Sequence, residues 1–295
     1  VFWTEPVLSA LAAAGHDVTL ESRVPELVQG GPWRTVPESR DATYDAVVDL
    51  DEAYERNPRT HVLHAYREKV YGAGTLDVGV TVRPPLLYLD ERERRACEVY
   101  ATRDPYVLFH ARSLHYRRFR QVHGVDWGVV MDETARRAGV ARLRDDHPDH
   151  VRYEVVNTPT LRATIPPIFG ASLFVGLDAA PAHVAASLGV PAIVLFGSVD
   201  PDNRHLPGAQ VAPLSGSCPH AGCYHAAVSP TLPACLIEDG PAAFCCTEYT
   251  AGLVLSRIVA VLDGQRCTGN VAGTDLCIKE GAWRDRTRRH REAVR

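Results

Sequence analysis

The clearest pattern of apolar and polar positions lies between Ser172 and Pro201, SLFVGLDAAPAHVAASLGVPAIVLFGSVDP. Ser172–Val175 is apolar and β-prone, and Gly176 is expected to break the run. Pro181 stands where a helix begins. A proline at the first helical position forfeits no hydrogen bond, because that N–H is unpaired in any case. Gly189 and Pro191 stop the helix, and Ala192–Phe196 is a second apolar run, entering Gly197. Two buried strands joined by a helix make a βαβ unit, whose strand-end loops usually bind ligands. Asp178 and His183 flank the helix start, where backbone N–H groups suit a phosphate.

The rest of the chain alternates similar signals. Val1–Leu11 has helical periodicity, and Val18–Glu21 reads as a strand. A polar, proline-bearing stretch runs from Pro25 to Thr43. Ala46–Leu50 has the pattern of a short parallel strand. Arg59–Tyr71 reads as an amphipathic helix closed by Gly72 and Gly74. Leu89–Ala101 is a charged helix, and Asp90 and Glu91 suit the positive end of its dipole. A second α/β unit opens with a strand at Tyr106–His110. A helix within Gly124–Gly139, a strand at Arg152–Val156 and a helix at Thr160–Phe169 follow. Glu248–Leu262 is a long apolar helix. These signals predict an α/β chain with a boundary near Thr102. The expected units are 1–102, 103–265 and a tail, 266–295.

Composition narrows this only slightly. The 295 residues are 45% apolar and 23% charged, so the chain is globular and long enough for one large core or two ordinary ones. A net charge of −4 gives no sign of a nucleic-acid partner. No apolar run approaches the ~20 residues that span a bilayer, and no leader pattern is visible. The expected location is the cytoplasm. Six arginines between Arg284 and Arg295 make a solvated tail, or one that touches the inner, anionic membrane face. Asp49-Leu50-Asp51 has the form of a metal-binding acid pair but sits at a strand end and reads as structural. No GxGxxG, P-loop or GxSxG is present.

The DAAPAHVAASLGVP stretch, followed by LFGSVDP, resembles the signature of glycosyltransferase family nine, the ADP-heptose:lipopolysaccharide heptosyltransferases. Ala179 stands where the family has a hydroxyl, and Ala180 where it has glycine. The resemblance implies a GT-B fold of two Rossmann-like domains facing a cleft. It also implies an inverting transfer of a sugar, most simply heptose, from a nucleotide-diphosphate donor such as ADP-heptose to a glycan or lipopolysaccharide-core hydroxyl. Val1–Leu11 fits the family pattern just after its Gly-Asp turn. The first strand of the N-terminal domain and the family's aspartate base are therefore expected to lie ahead of Val1. Glu5, about one helical turn beyond that slot, is the candidate substitute base.

The loop after Tyr106–His110 adds to the resemblance. Counted from His110, Ser113 falls on a family hydroxyl position and Arg117 on its basic position, where the family holds the diphosphate. A hydroxyl and a guanidinium there make charge-assisted hydrogen bonds to phosphate oxygens. The expected donor-binding set is thus Ser113, Arg117, Asp178, Ala179, Ala180 and His183. Two rival readings remain at this stage, a non-catalytic nucleotide-sugar-binding relative and a GT-B-type nucleotide-sugar epimerase.

Seven of the eight cysteines lie at or after Cys218, and their spacing has no C-x2-C pair. Some relatives that glycosylate autotransporter proteins bind iron in this region through four cysteines. The resemblance makes Cys218, Cys223, Cys235 and Cys245 (or Cys246) a candidate structural iron or zinc site. Buried free thiols are the alternative, and a cytosolic location argues against disulfides. The transfer itself is expected to need no cofactor.

Overall fold

The computed structural model describes residues 2–22, 25–36, 43–50, 53–54, 60–72, 79–103, 106–110, 129–130, 132–134, 160–197, 199–205, 211–215, 218 and 249–262. Within these residues the fold is α/β with parallel sheets. Strand β1 (Thr19–Glu21) pairs in parallel with β2 (Arg34–Val36). A second, four-stranded sheet runs in the order β3 (Val107–His110), β4 (Leu173–Leu177), β5 (Ala192–Phe196), β6 (Val211–Ser215), every pair parallel.

Strands β3, β4 and β5 are buried at every position. A parallel sheet covered on both faces calls for unbroken apolar runs rather than alternation. That is why VLFH, LFV and AIVLF read so plainly in the sequence. Gly176 does not break β4 as expected but lies within it, paired with His110 of β3. A Cβ at Gly176 would meet the His110 carbonyl oxygen at 2.9 Å, so the close approach of the two backbones selects glycine there. β6 is missed by the apolar pattern because Pro213 interrupts it. It pairs with β5 alone among the described strands, and such an edge tolerates a residue without N–H.

The helices follow from caps and faces. Helix α1 (Glu5–Ala13) is preceded by a 3-10 turn at Phe2–Thr4, so the apolar stretch at the chain start is helical as expected. Helix α2 (Val62–Gly72) packs its Val62, Leu63, Tyr66 and Val70 face on Trp3, Val7 and Leu11 of the chain start. Helix α3 (Glu91–Ala101) opens on a full capping box: Asp90 Oδ1 accepts from the Glu93 N–H at 2.8 Å, and Glu93 Oε2 accepts from the Asp90 N–H at 2.9 Å. The predicted Thr160–Phe169 helix is a 3-10 turn, Leu161–Thr164, that runs into α4 (Ile165–Gly170). Helix α5 (Ala180–Ser187) ends before Gly189, whose φ of +61° is the left-handed turn that glycine takes at little cost. Helix α6 (Ala251–Leu262) ends the described chain.

Residues 46–50 form no strand, contrary to the apolar pattern. Val47 is 76% exposed, and no ladder partner faces the segment among the described residues. Val48 and Leu50 instead rest half-buried on the cluster around Trp3. Two apolar clusters result. The larger is built on β3 to β6 with Ile165, Ile168, Val184, Val254 and Ile258, and it also takes in Phe2, Leu27 and Val28. Arg162 strengthens this join. It pairs with Glu93 and donates to the Glu26 carbonyl at 2.8 Å and the Tyr88 carbonyl at 2.7 Å. The predicted strand at 152–156 lies outside the described residues, and so does most of the helix sought in 124–139, of which 129–130 and 132–134 are helical.

Candidate functional site

The C-terminal ends of β4 and β5 and the start of α5 carry the polar groups that the sequence singles out. β4 ends at Leu177, and Asp178 follows with its N–H donated to the Leu195 carbonyl of β5 at 3.3 Å. Ala179 is extended and stands at the helix N-cap, and Ala180 and Pro181 open α5 with no side chain capping it. Alanine in place of a hydroxyl residue thus leaves the helix start to other acceptors. His183 lies one turn in, with its Nε2 3.7 Å from Asp178 Oδ1. Asp178 and His183 are therefore brought together, as the motif implies.

The polar loop after β5 adds two residues that the sequence reading passed over. Asp200 caps a 3-10 turn, Pro201–Asn203, by accepting from the Asp202 N–H. The turn delivers Arg204 and His205. Arg204 Nε is 3.9 Å from Asp178 Oδ2, and its guanidinium lies over the Tyr54 ring, with Nη2 donating to the Tyr54 hydroxyl at 3.0 Å. His205 stacks on His183 with ring centroids 4.8 Å apart, and Phe196 meets its edge. Both ring nitrogens of His205 are buried with no hydrogen-bond partner among the described residues. The only local signal for this pair is their place just after an apolar strand, beside the expected anion seat.

The chain start supplies a third wall. The Trp3 indole N–H donates to His183 Nδ1 at 3.3 Å. His61 packs edge-on to Trp3 at 4.7 Å, just ahead of α2, and its Nδ1 accepts from the Leu63 N–H at 3.1 Å. Because an indole N–H and a backbone N–H only donate, each Nδ1 must offer a lone pair. Both imidazoles, when neutral, therefore carry their proton on Nε2.

Burial dominates the electrostatics. It raises the Asp178 carboxyl above its ordinary value, against the pull of Arg204. Burial, aided by His205, Arg204 and His61, holds His183 well below the ordinary histidine value. Burial likewise lowers His61 to about 4 and His205 to about 3, with the charges of neighbouring groups contributing. Three neutral imidazoles, one carboxylate and one guanidinium thus share a compact volume. This set offers N–H donors to oxygen atoms of a ligand, and the Asp178 carboxylate and the unprotonated nitrogen of His205 as acceptors.

Ligand atoms of Asp178, His183 and His205 lie within 4.8 Å of one another, a separation that a metal ion bridges only after contraction. The donor set does not fit a cation. Trp3 occupies the Nδ1 lone pair of His183 and leaves Nε2 protonated, while Arg204 places a positive charge beside the carboxylate.

Glu5, the candidate base, is fully buried. Its carboxylate accepts from Arg83 Nη1 at 2.6 Å, Arg83 Nη2 at 3.0 Å, the Leu86 N–H at 2.8 Å, the Tyr88 hydroxyl at 3.1 Å and the Ser9 hydroxyl at 2.5 Å. Burial raises its pKa, yet these hydrogen bonds and the Arg83 charge outweigh burial and hold it below the ordinary 4.5. A carboxylate with its lone pairs so engaged is a structural anchor, which corrects the expectation that Glu5 takes a proton from an acceptor.

Ser113 and Arg117 lie outside the described residues, and so do Cys223, Cys235, Cys245, Cys246 and the tail. Cys218 is a half-buried free thiol. His110, which introduces the Ser113 loop, ends β3 with both ring nitrogens buried and without a partner among the described residues. Burial lowers it to about 4, so it too is neutral. No described helix is long and apolar enough to cross a membrane.

Comparison with known proteins bears on this geometry directly. Residues 120–228 match the family model for glycosyltransferase family 9 (heptosyltransferase), a span that contains Asp178, His183, Arg204 and His205. No curated protein matches the chain. Among solved structures, a glycosyl transferase family 9 protein from Veillonella parvula aligns over 88% of this chain and 92% of its own, at 15% identity and a TM-score of 0.54. The dodecameric iron-containing heptosyltransferase TibC, in complex with ADP-D-beta-D-heptose, aligns over 88% of this chain and 73% of its own, at 16% identity and a TM-score of 0.58. A second structure of TibC, from enterotoxigenic E. coli H10407, gives 15% identity and a TM-score of 0.59 over 89% of this chain. At these identities the structures establish a shared fold, and the family model meets the expectation drawn from the DAAPAH stretch.

Proposed function

Taking as premise that the chain carries the family nine glycosyltransferase region, we propose that it transfers a heptose-type sugar from a nucleotide-diphosphate donor to a glycan hydroxyl. The observation that supports this most is the convergence of Asp178, His183 and the uncapped start of α5 at the ends of two buried parallel strands. In this reading the architecture is GT-B, with 1–102 as the acceptor side and 103–265 as the donor side. ADP-heptose, the ligand of the TibC complex, is the donor of choice for a first test.

Each group then has a role. Backbone N–H groups at Ala179 and Ala180 and the Nε2–H of His183 meet oxygens of the diphosphate, together with Ser113 and Arg117. Asp178 accepts from a donor hydroxyl, and the Arg204 charge offsets part of the rise in its pKa that burial causes. The acceptor oxygen bonds to the anomeric carbon as the bond to the diphosphate oxygen breaks, with inversion. The electron pair leaves with the diphosphate, whose charge the N–H donors stabilise. The acceptor proton passes to a base other than Glu5. The acceptor class is a lipopolysaccharide-core or other glycan hydroxyl, reached at the inner membrane face if the arginine-rich tail makes contact there. Purified protein with ADP-heptose and such acceptors should release ADP in step with glycosylated product. The absence of both donor binding and product with all of them would refute the proposal.

A further inference from the structure

Residues far apart in sequence settle which nitrogen of His183 carries the proton. Trp3 and His183 are separated by 180 positions, yet the indole N–H reaches Nδ1 at 3.3 Å. The indole ring stands edge-on to both His61 and His183, at interplanar angles of 85° and 81°. Trp3 is itself buried, at 6% exposure, and it is seated among Val7, Leu11, Val62 and Leu63. Its position is therefore fixed by apolar packing that does not involve the histidine. An isolated neutral imidazole would populate both tautomers, whereas a donor-only partner at Nδ1 excludes one of them. The opposite nitrogen, Nε2, is on the Asp178 side at 3.7 Å, too long for a hydrogen bond.

We propose that Trp3 is a positioning residue for His183, fixing the imidazole as the Nε2–H tautomer so that it presents a donor beside Asp178. The consequence for donor affinity rests on the reading given under Proposed function, while the tautomer assignment does not. Titratable and charged groups face His183 from several elements: His61 ahead of α2, Asp178 after β4, and Arg204 and His205 after β5. Trp3, which does not titrate, is the partner that touches Nδ1.

The test is nitrogen-15 NMR of the whole protein, labelled on histidine, at pH 7.5. Wild type should show His183, assigned by its loss in His183→Gln, wholly in the Nε2–H form. Trp3→Phe keeps an edge-on ring and removes the donor, and it should shift His183 to a mixture of tautomers. The same variant should bind ADP about threefold to tenfold more weakly, the worth of one neutral hydrogen bond. A wild-type His183 protonated on Nδ1 overturns the assignment without any variant, so a Trp3→Phe protein that fails to fold leaves the proposal testable. A folded Trp3→Phe protein with an unchanged tautomer also overturns it. If the tautomer shifts while neither variant alters ADP binding, the positioning stands and the donor-site reading fails. Retention of zinc by the wild-type protein, lost in both His183→Gln and Asp178→Ala, would overturn the assignment in favour of a metal site.

Discussion

Glu5 and Arg83 form a two-pronged ion pair, with Nη1 to Oε2 at 2.6 Å and Nη2 to Oε1 at 3.0 Å, around a carboxylate that is wholly buried. Parallel N–H to oxygen bonds of this kind are the strong class of charge-assisted pair. They tie helix α1 to the segment that leads into α3. Arg83→Ala leaves the acid buried without its countercharge, a change that costs about 3–5 kcal/mol in general. The lower end, about 3 kcal/mol, is expected here, because Arg83 keeps 26% of its side chain exposed and Leu86, Ser9 and Tyr88 still serve the carboxylate. Urea unfolding of the variant should show it. A loss under about 1 kcal/mol would mean that the pair is not an anchor.

The buried histidines set a pH dependence whose sign is fixed. In the unfolded chain a histidine takes up its proton near 6.5, whereas in the fold His61 does so near 4 and His205 near 3. Between those values the unfolded state binds more protons, so stability is full above 6.5 and is lost as pH falls toward 4. Each such group contributes at most about 1.4 kcal/mol per pH unit in that window. Glu5, held below 4.5, adds a further loss only at lower pH, as it is protonated. Thermal unfolding from pH 7 to 5 should show a falling midpoint, and His205→Asn should flatten the slope. An identical slope in that variant would exclude His205 as a contributor.

Arg162 joins segments that are distant in sequence through Glu93, the Glu26 carbonyl and the Tyr88 carbonyl. Its side chain is only 14% exposed, so the loss of these bonds is not made good by water. Arg162→Ala should cost about 3 kcal/mol, and Arg162→Lys should recover only part, because an ammonium cannot reproduce the planar fork. Equal stability of the lysine variant and wild type would show that charge alone suffices.

Gly170 ends α4 where the chain passes closest to α3. A Cβ there would lie 2.6 Å from the Tyr100 carbonyl oxygen and 2.7 Å from the Tyr106 hydroxyl, which itself donates to the Pro167 carbonyl. Gly170→Ala should therefore destabilise by about 1–3 kcal/mol through overpacking. A neutral outcome in differential scanning calorimetry would show that α3 and α4 can separate freely.

The sequence pattern reaches some of these features and not others, for physical reasons. β5 is legible to the residue because a strand buried on both faces must be apolar throughout. The start of α3 is legible because Asp90 and Glu93 cap it within four residues. Asp178 and His183 are legible as a pair because a short turn and one helical turn separate them. β6 is hidden by Pro213, and residues 46–50 mislead because an apolar run becomes a strand only where a ladder partner exists. Trp3 and His61 are illegible as site residues because their contact with His183 is made by tertiary packing. Glu5 had the right chemistry for a base, but all its hydrogen bonds except that from Ser9 come from residues about eighty positions away.

Donor recognition at Asp178 is the central claim, and calorimetric titration of ADP-heptose into wild type and Asp178→Ala tests it most directly. Wild type should bind, and the variant should bind at least tenfold more weakly (a loss of about 1.4 kcal/mol or more). Both proteins should melt at similar temperatures in the absence of donor. Equal affinity in the two, or no binding by the wild-type protein, would contradict the account.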